Sequence, residues 1–219
     1  MSAASPKPKI ACLANGPYYL YVDPTPAPVP HLRRANGDAC ITARGIALCR
    51  CGGSANKPFC DGTHGTNGFT DRKLADASQD RRTSYAGKQV TIHDNRALCA
   101  HAGLCTDGLK TVFRMKQEPW IDADGAALED IIATVKKCPS GALSYSIDAV
   151  EQGDPDREPM VTVTDDGPYS VTGGIELAGV EFGEGASREH YTLCRCGASK
   201  NKPFCDGSHW RVGFKDPVR

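Results

Sequence analysis

Leu48-Cys49-Arg50-Cys51-Gly52-Gly53-Ser54-Ala55-Asn56-Lys57-Pro58-Phe59-Cys60-Asp61-Gly62-Thr63-His64 is written twice in this chain. It returns as Leu193 to His209 with only positions 53, 55 and 63 altered. Both copies read C-x-C-x8-C-x3-H, and Cys194, Cys196, Cys205 and His209 each lie 145 positions after Cys49, Cys51, Cys60 and His64. Soft thiolate and imidazole donors at fixed spacing are metal ligands, so a metal site is made twice.

Composition narrows the function classes. The 219 residues carry 26 Lys+Arg and 26 Asp+Glu, which leaves no basic field for nucleic acid or an anionic membrane. The eleven cysteines are odd in number and fall in CxC, Cx5C and Cys-Pro contexts, which argues against a disulfide framework and for a reducing cytoplasm. Met1 to Ile10 lead into no apolar h-region, and no run of about 18 apolar residues follows, so a soluble cytoplasmic protein is expected.

The repeat extends upstream of the cysteines. Gly16-Pro17-Tyr18 returns as Gly167-Pro168-Tyr169, 151 positions later, so the first copy has the longer loop. That loop, Asp23 to Arg34, holds Pro24, Pro26, Pro28 and Pro30 and reads as an extended surface segment. Residues 1–9 read as a loose terminus and Lys9 to Val22 as a strand, with further short strands over Cys40–Leu48 and Gly174–Leu193. Asp61 and Asp206 suit helix N-caps, which would put His64 and His209 in a first helical turn. Arg50, Arg195, Lys57 and Lys202 read either as solvated surface or as positive charge near an anionic site.

Cys3His suits structural zinc and also an iron-sulfur cluster. The tight Cys-x-Cys bite favours two thiolates on one iron of a cluster. With Ser54 and Pro58, and Ser199 and Pro203, at the fixed inner positions, both copies resemble the CDGSH iron-sulfur domain family. The resemblance implies a [2Fe-2S] cluster in each, held by Cys49, Cys51, Cys60 and His64, and by Cys194, Cys196, Cys205 and His209.

Tyr85 to Ala149 differs. Gln89 to His93 reads as a strand, and Leu128, Ile131, Ile132 and Val135 fall at i, i+3, i+4 and i+7, an amphipathic helix over Ala126–Lys137. Asp122-Ala-Asp124-Gly125 reads as a turn capping that helix. Cys99-Ala-His101-Ala-Gly-Leu-Cys105 is followed by Val112-Phe113, Pro119-Trp120-Ile121 and Cys138-Pro-Ser-Gly-Ala-Leu143. This stretch resembles the divergent single-cluster ferredoxin family, which implies Cys99, Cys105 and Cys138 as ligands. Ala102 stands where a fourth cysteine would, so a [3Fe-4S] cluster is expected, with [4Fe-4S] through His101 as the alternative. Cys12 and Cys40 read as small buried side chains, and His31, His93 and His190 as surface or hydrogen-bonded histidines.

The expected architecture is α+β. CDGSH domains over 10–75 and 160–219 pack as an intrachain pseudo-dimer with short cluster-binding helices. A ferredoxin-like module over 85–149 lies between them, joined by linkers 76–84 and 150–159. Without a catalytic triad, phosphate loop or paired acid/base carboxylates, the chain reads as a monomeric electron carrier for a redox partner protein and not as an enzyme. Storage or delivery of clusters to an apo-acceptor, or redox and pH sensing, is the alternative; a zinc-stabilised interaction module is the third.

Overall fold

The computed structural model describes residues 9–21, 31–40, 45–74 and 80–216. Met1–Pro8, Val22 and the loop residues Asp23–Pro30 lie outside the described residues. Among the described residues the fold is mixed α+β, with twelve strands gathered into small sheets and few helices.

The stretch read as one strand from Lys9 is a hairpin. β1 (Lys9–Cys12) and β2 (Tyr18–Tyr21) pair antiparallel with Ile10 opposite Leu20. Gly16 and Pro17 form the turn between them, closed by Leu13 N donating to Pro17 O at 3.0 Å. Proline has no N–H for a ladder, so Gly-Pro ends a strand rather than sitting within one.

In chain order the other strands are β3 (His31–Arg34), β4 (Ile46–Leu48), β5 (Arg82–Ala86), β6 (Thr91–Asn95), β7 (Leu143–Ile147), β8 (Val150–Glu151), β9 (Met160–Val163), β10 (Tyr169–Thr172), β11 (Glu176–Ala178) and β12 (Tyr191–Leu193). The helices are α1 (Leu104–Gly108), α2 (Leu128–Val135) and α3 (Ser208–Arg211), with 3-10 turns at Thr63–Gly65 and Arg96–Leu98. Among the described residues no helix is long and apolar enough to cross a membrane.

The two repeats exchange an edge strand. One sheet runs β11-β1-β2-β4 and the second β3-β9-β10-β12. β11 of the second repeat lies parallel to β1, Leu177 beside Ile10, and β3 of the first lies parallel to β9, Leu32 beside Val161. His31–Arg34, expected as surface loop, is therefore a strand of the other repeat's sheet. Each short edge gains a partner, which removes an open template for association.

Both sheets contribute to one core. Ile10, Tyr18, Leu20 and Leu48 pack with Val161, Tyr169, Val171 and Leu193, all at most 1% exposed. Full burial of such a side chain is worth about 1.5–3 kcal/mol, and neither repeat encloses these residues alone. Cys12 and Cys40, read as small buried side chains, are half-buried against the same core.

The middle segment forms an antiparallel meander in the order β5-β6-β7-β8. β5 begins at Arg82, inside the stretch read as linker, because Arg82–Ala86 pairs along its whole length with Thr91–Asn95. Helix α2 is shorter than its periodicity suggests. Ile131 and Val135 are buried with Phe113, Ile121 and Tyr145 while Leu128 and Ile132 pack partly buried. Asp124 N donates to Asp122 Oδ1 at 3.1 Å, so that turn closes on itself, and Ala127 caps α2 without a side-chain bond.

Leu98 and Ala142 leave the middle segment to join the core of the repeats. Polar contacts support this docking: Asn95 Nδ2 donates to Glu184 O at 3.0 Å and Asn201 Nδ2 to Ala97 O at 2.7 Å.

Candidate metal centres

The C-x-C-x8-C-x3-H loops are folded by their own inner residues. In the first, Ser54 Oγ donates to Phe59 O (2.7 Å) and accepts from Asn56 N (3.0 Å), while Cys49 N donates to Pro58 O (2.8 Å). In the second, Ser199 Oγ donates to Phe204 O (2.7 Å), Asn201 N donates to Ser199 Oγ (3.1 Å) and Cys194 N to Pro203 O (2.8 Å). The fixed serine and proline thus place the third cysteine opposite the first pair. Lys57 and Lys202 are not solvated surface, since each Nζ donates into its own loop, to Ser54 O (2.6 Å) and Ser199 O (2.8 Å).

The aspartates after the third cysteines brace the loops from outside the helices. Asp61 Oδ2 accepts from Ala55 N (2.7 Å) and its Oδ1 from Thr63 N (3.0 Å); Asp206 repeats this with Lys200 N and Ser208 N (both 2.9 Å). The N-cap positions themselves are Gly62 and Gly207, so the N-cap expectation is off by one residue. His64 lies in the 3-10 turn Thr63–Gly65 and His209 in α3.

The ligand candidates come together in pairs. Cys49 Sγ and Cys51 Sγ are 4.0 Å apart, and Cys194 and Cys196 3.8 Å. Cys60 Sγ and His64 Nδ1 are 3.3 Å apart, and Cys205 and His209 3.4 Å. Two sulfurs each about 2.3 Å from one tetrahedral metal stand about 3.8 Å apart, so each pair has the bite for one metal atom. Among the described residues, however, only Asp154, Glu189 and His190 bring three such ligand atoms within 4.8 Å of one another. No three of the four donor atoms of either loop therefore converge within that distance.

Burial pushes the Cys49 thiol up to about 11 and raises Cys205 further, while Cys194 is raised first by its hydrogen bond with Cys196 and then by burial. Cys196 is lowered because the Cys194 thiol donates to it. Thiolates so disfavoured by desolvation need a metal cation to compensate them. Burial lowers His209, which keeps its imidazole in the neutral, ligating form.

Arg50 and Arg195 point away from the paired cysteines into the repeats and are buried, which removes the solvated-surface reading. Arg195 is ion-paired with Asp216, donates to Gly167 O (2.8 Å) and stacks on Tyr169 and Phe214 at 5.5 and 5.0 Å. Arg50 holds the equivalent place over Tyr18 and Phe69, with Asp71 at 3.8 Å. Each tyrosine then crosses to the other repeat. Tyr18 Oη donates to Cys194 O (2.9 Å) and Pro203 O (3.0 Å), and Tyr169 Oη to Cys49 O (2.9 Å) and Pro58 O (3.0 Å). The Gly-Pro-Tyr repeat was the sequence signal for these residues; their reach across the repeats was not in it.

Cys99, Cys105 and Cys138 line one cavity with His101, Trp120 and Ala142. Cys99 follows the turn that Asn95 caps by accepting from Ala97 N (3.2 Å), Cys105 lies in α1, and Cys138 follows α2. Burial pushes Cys99 up to about 11 and raises Cys105. The cavity reaches a wider solvent cleft edged by Arg96, Arg114 and Lys116. His101 has a positive φ of 54° and packs on Gly207, where a built Cβ would fall 2.7 Å from its Cδ2.

His93 and His190 are held by hydrogen bonds outside these loops. His93 is buried between Ser84 Oγ (2.8 Å) and Ser146 Oγ (3.1 Å). His190 meets Glu189 and Ser187, and Arg157 already ion-pairs with Glu189, so the Asp154–Glu189–His190 group has a cation beside it. His31 lies in β3.

Residues 15–65 and 166–210 match the family described as iron-binding zinc finger CDGSH type, and residues 85–148 the family described as divergent 4Fe-4S mono-cluster. The uncharacterised protein YjdI of Escherichia coli strain K12 is 36% identical over 61 residues, 28% of this chain and 80% of that protein. YjdI of E. coli O157:H7 gives the same values. No solved structure matches the chain. Paired soft donors in two folded loops, a third cysteine cavity between them and these matches lead to one conclusion: the chain belongs to the CDGSH iron-binding family, two such regions flanking a divergent iron-sulfur domain.

Proposed function

We propose that the chain is a multi-cluster electron carrier without substrate chemistry of its own. Cys49, Cys51, Cys60 and His64 hold one [2Fe-2S] cluster, and Cys194, Cys196, Cys205 and His209 a second. Cys99, Cys105 and Cys138 hold a [3Fe-4S] cluster, or [4Fe-4S] if His101 turns from Gly207 to complete the set. Bound clusters of these kinds accept and release single electrons.

The observation that supports this best is the pairing of donors: 4.0 and 3.3 Å within pairs of the first site, 3.8 and 3.4 Å in the second. The lack of convergence of three donors at either loop argues against the zinc-stabilised module. The residues around the sites hold ligands and exclude water. Serine and lysine bonds fix the loops, tyrosines brace the opposite repeat, and the buried arginines, paired with Asp71 and Asp216, anchor the loop centres.

The exchanged strands β3 and β11 and the reciprocal tyrosine bonds support an intrachain counterpart of a homodimer, with domains over 10–75, 85–149 and 160–219 in a monomeric cytoplasmic protein. Its partner is a redox protein, with no part for nucleic acid or membrane. Delivery of a cluster to an apo-acceptor is the second reading, favoured by the half-exposure of His64 between open glycines.

A spectroelectrochemical titration of the anaerobically purified protein tests the proposal. Reversible one-electron steps from two kinds of cluster are expected; a colourless protein without redox steps overturns it.

A further inference from the structure

The two histidine-bearing loops are close copies, yet their surroundings are not. In the second site Cys205 is 2% and His209 5% exposed, while Cys60 and His64 are only half-buried. Three named differences make the cover. Asn201 donates to Ala97 O of the middle segment (2.7 Å), whereas its counterpart Asn56 is exposed. His101 lies on Gly207, whereas a Cβ built on Gly62 would meet nothing within 4 Å. Trp210 tilts against the His209 ring at 5.0 Å, and the residue after His64 is Gly65, which is open.

The sites are also contiguous in one order. Cys51 and Cys196 form an antiparallel bridge, and a Cβ on Gly52 would fall 2.6 Å from Cys196 O. The first loop therefore touches the second directly. The second loop touches the middle segment through Asn201 and Gly207, and among the described residues none of these contacts is repeated by the first loop.

We propose that the two histidine-bearing sites have divided roles: the first is the face at which the chain exchanges with external agents, and the second is an enclosed station between it and the middle site. This rests on both sites holding iron-sulfur clusters. The two loops are near-identical in sequence, and the middle segment covers one of them. An external protein meets Cys60 and His64 first, and the second site is reached through the chain's own contacts.

Iron removal reads this without any activity assay. Dithionite reduces ferric to ferrous iron, and 2,2′-bipyridyl or the bulkier bathophenanthroline disulfonate captures it. Full-length Cys205→Ser retains the first site and Cys60→Ser the second. Iron should leave the first site at least about ten times faster, with the larger chelator widening the ratio. In the intact chain the histidine-bearing sites should empty in two phases of equal amplitude.

Asn201→Ala with Trp210→Gly should bring second-site loss close to the first-site rate. Equal rates in the two single-site variants, or one phase in the intact chain, overturn the division of roles while leaving cluster binding intact. A chain that holds no iron at either loop overturns the ligand assignment, and the division of roles with it.

Discussion

Tyr18 Oη donates to the carbonyl of Cys194, 176 positions away, at 2.9 Å, and Tyr169 does the same for Cys49. The two rings meet edge-on, 6.1 Å apart at 89°. Each repeat thereby holds the other's cysteine loop through a buried hydroxyl. The duplication is a mutual brace and not two modules on a string.

Removing one brace should act across the repeats. Tyr18→Phe leaves the carbonyls of Cys194 and Pro203 without this donor, at a cost of about 1–3 kcal/mol. Urea denaturation should show that loss, and the EPR signal of the second site should broaden while that of the first holds. Equal perturbation of both signals would count against the brace.

The buried arginines should differ in weight. Arg195 is fully enclosed with Asp216, so Arg195→Met strands a buried carboxylate and should cost about 3 kcal/mol. Arg50 sits 3.8 Å from an Asp71 that is 33% exposed, and Arg50→Met should cost roughly 1 kcal/mol. Thermal unfolding of the two variants checks the order.

Gly52 and Gly197 meet across the junction of the sites with φ of 78° and 76°. A Cβ at Gly197 would stand 2.5 Å from Cys51 O. Gly197→Ala should cost about 2–4 kcal/mol and part the two loops. Stability and visible absorbance per chain are the readouts, and an unchanged chain would refute the close approach.

Asp94 lines the middle cavity, and burial raises its carboxyl to about 6 from 3.8. Its neutral form suits the fold, so its contribution is complete below pH 3.8 and disappears as pH rises through about 6. Asp94→Asn should therefore stabilise the chain at pH 8, by about 1–3 kcal/mol, and change little at pH 3.5. Melting temperatures measured at both pH values decide it.

Local chemistry was readable from the residues, and long-range pairing was not. The cysteine spacing, Ser54, Pro58 and the helical stripe from Leu128 to Val135 each carry their signal within about twenty residues. Strand exchange carries none, because Leu32 beside Val161 is a choice among apolar partners that only the closed core settles. Arg50 and Arg195 stayed open between solvated surface and a charge near the site, because charged side chains are usually exposed. Their burial depends on Phe69 and Phe214, and on Asp71 and Asp216, residues that repeat at the same 145 spacing but lie beyond the motif. Part of the cover on the second loop comes from the middle segment, through Ala97 and His101, which the repeat itself does not contain.

The central claim is that each histidine-bearing loop holds two irons through separate donor pairs. Metal content of the anaerobically purified full-length chain tests it most directly. The account predicts about seven irons per chain, two at each such loop and three in the middle, with no zinc. Two zinc ions per chain, and iron confined to the middle site, would contradict it.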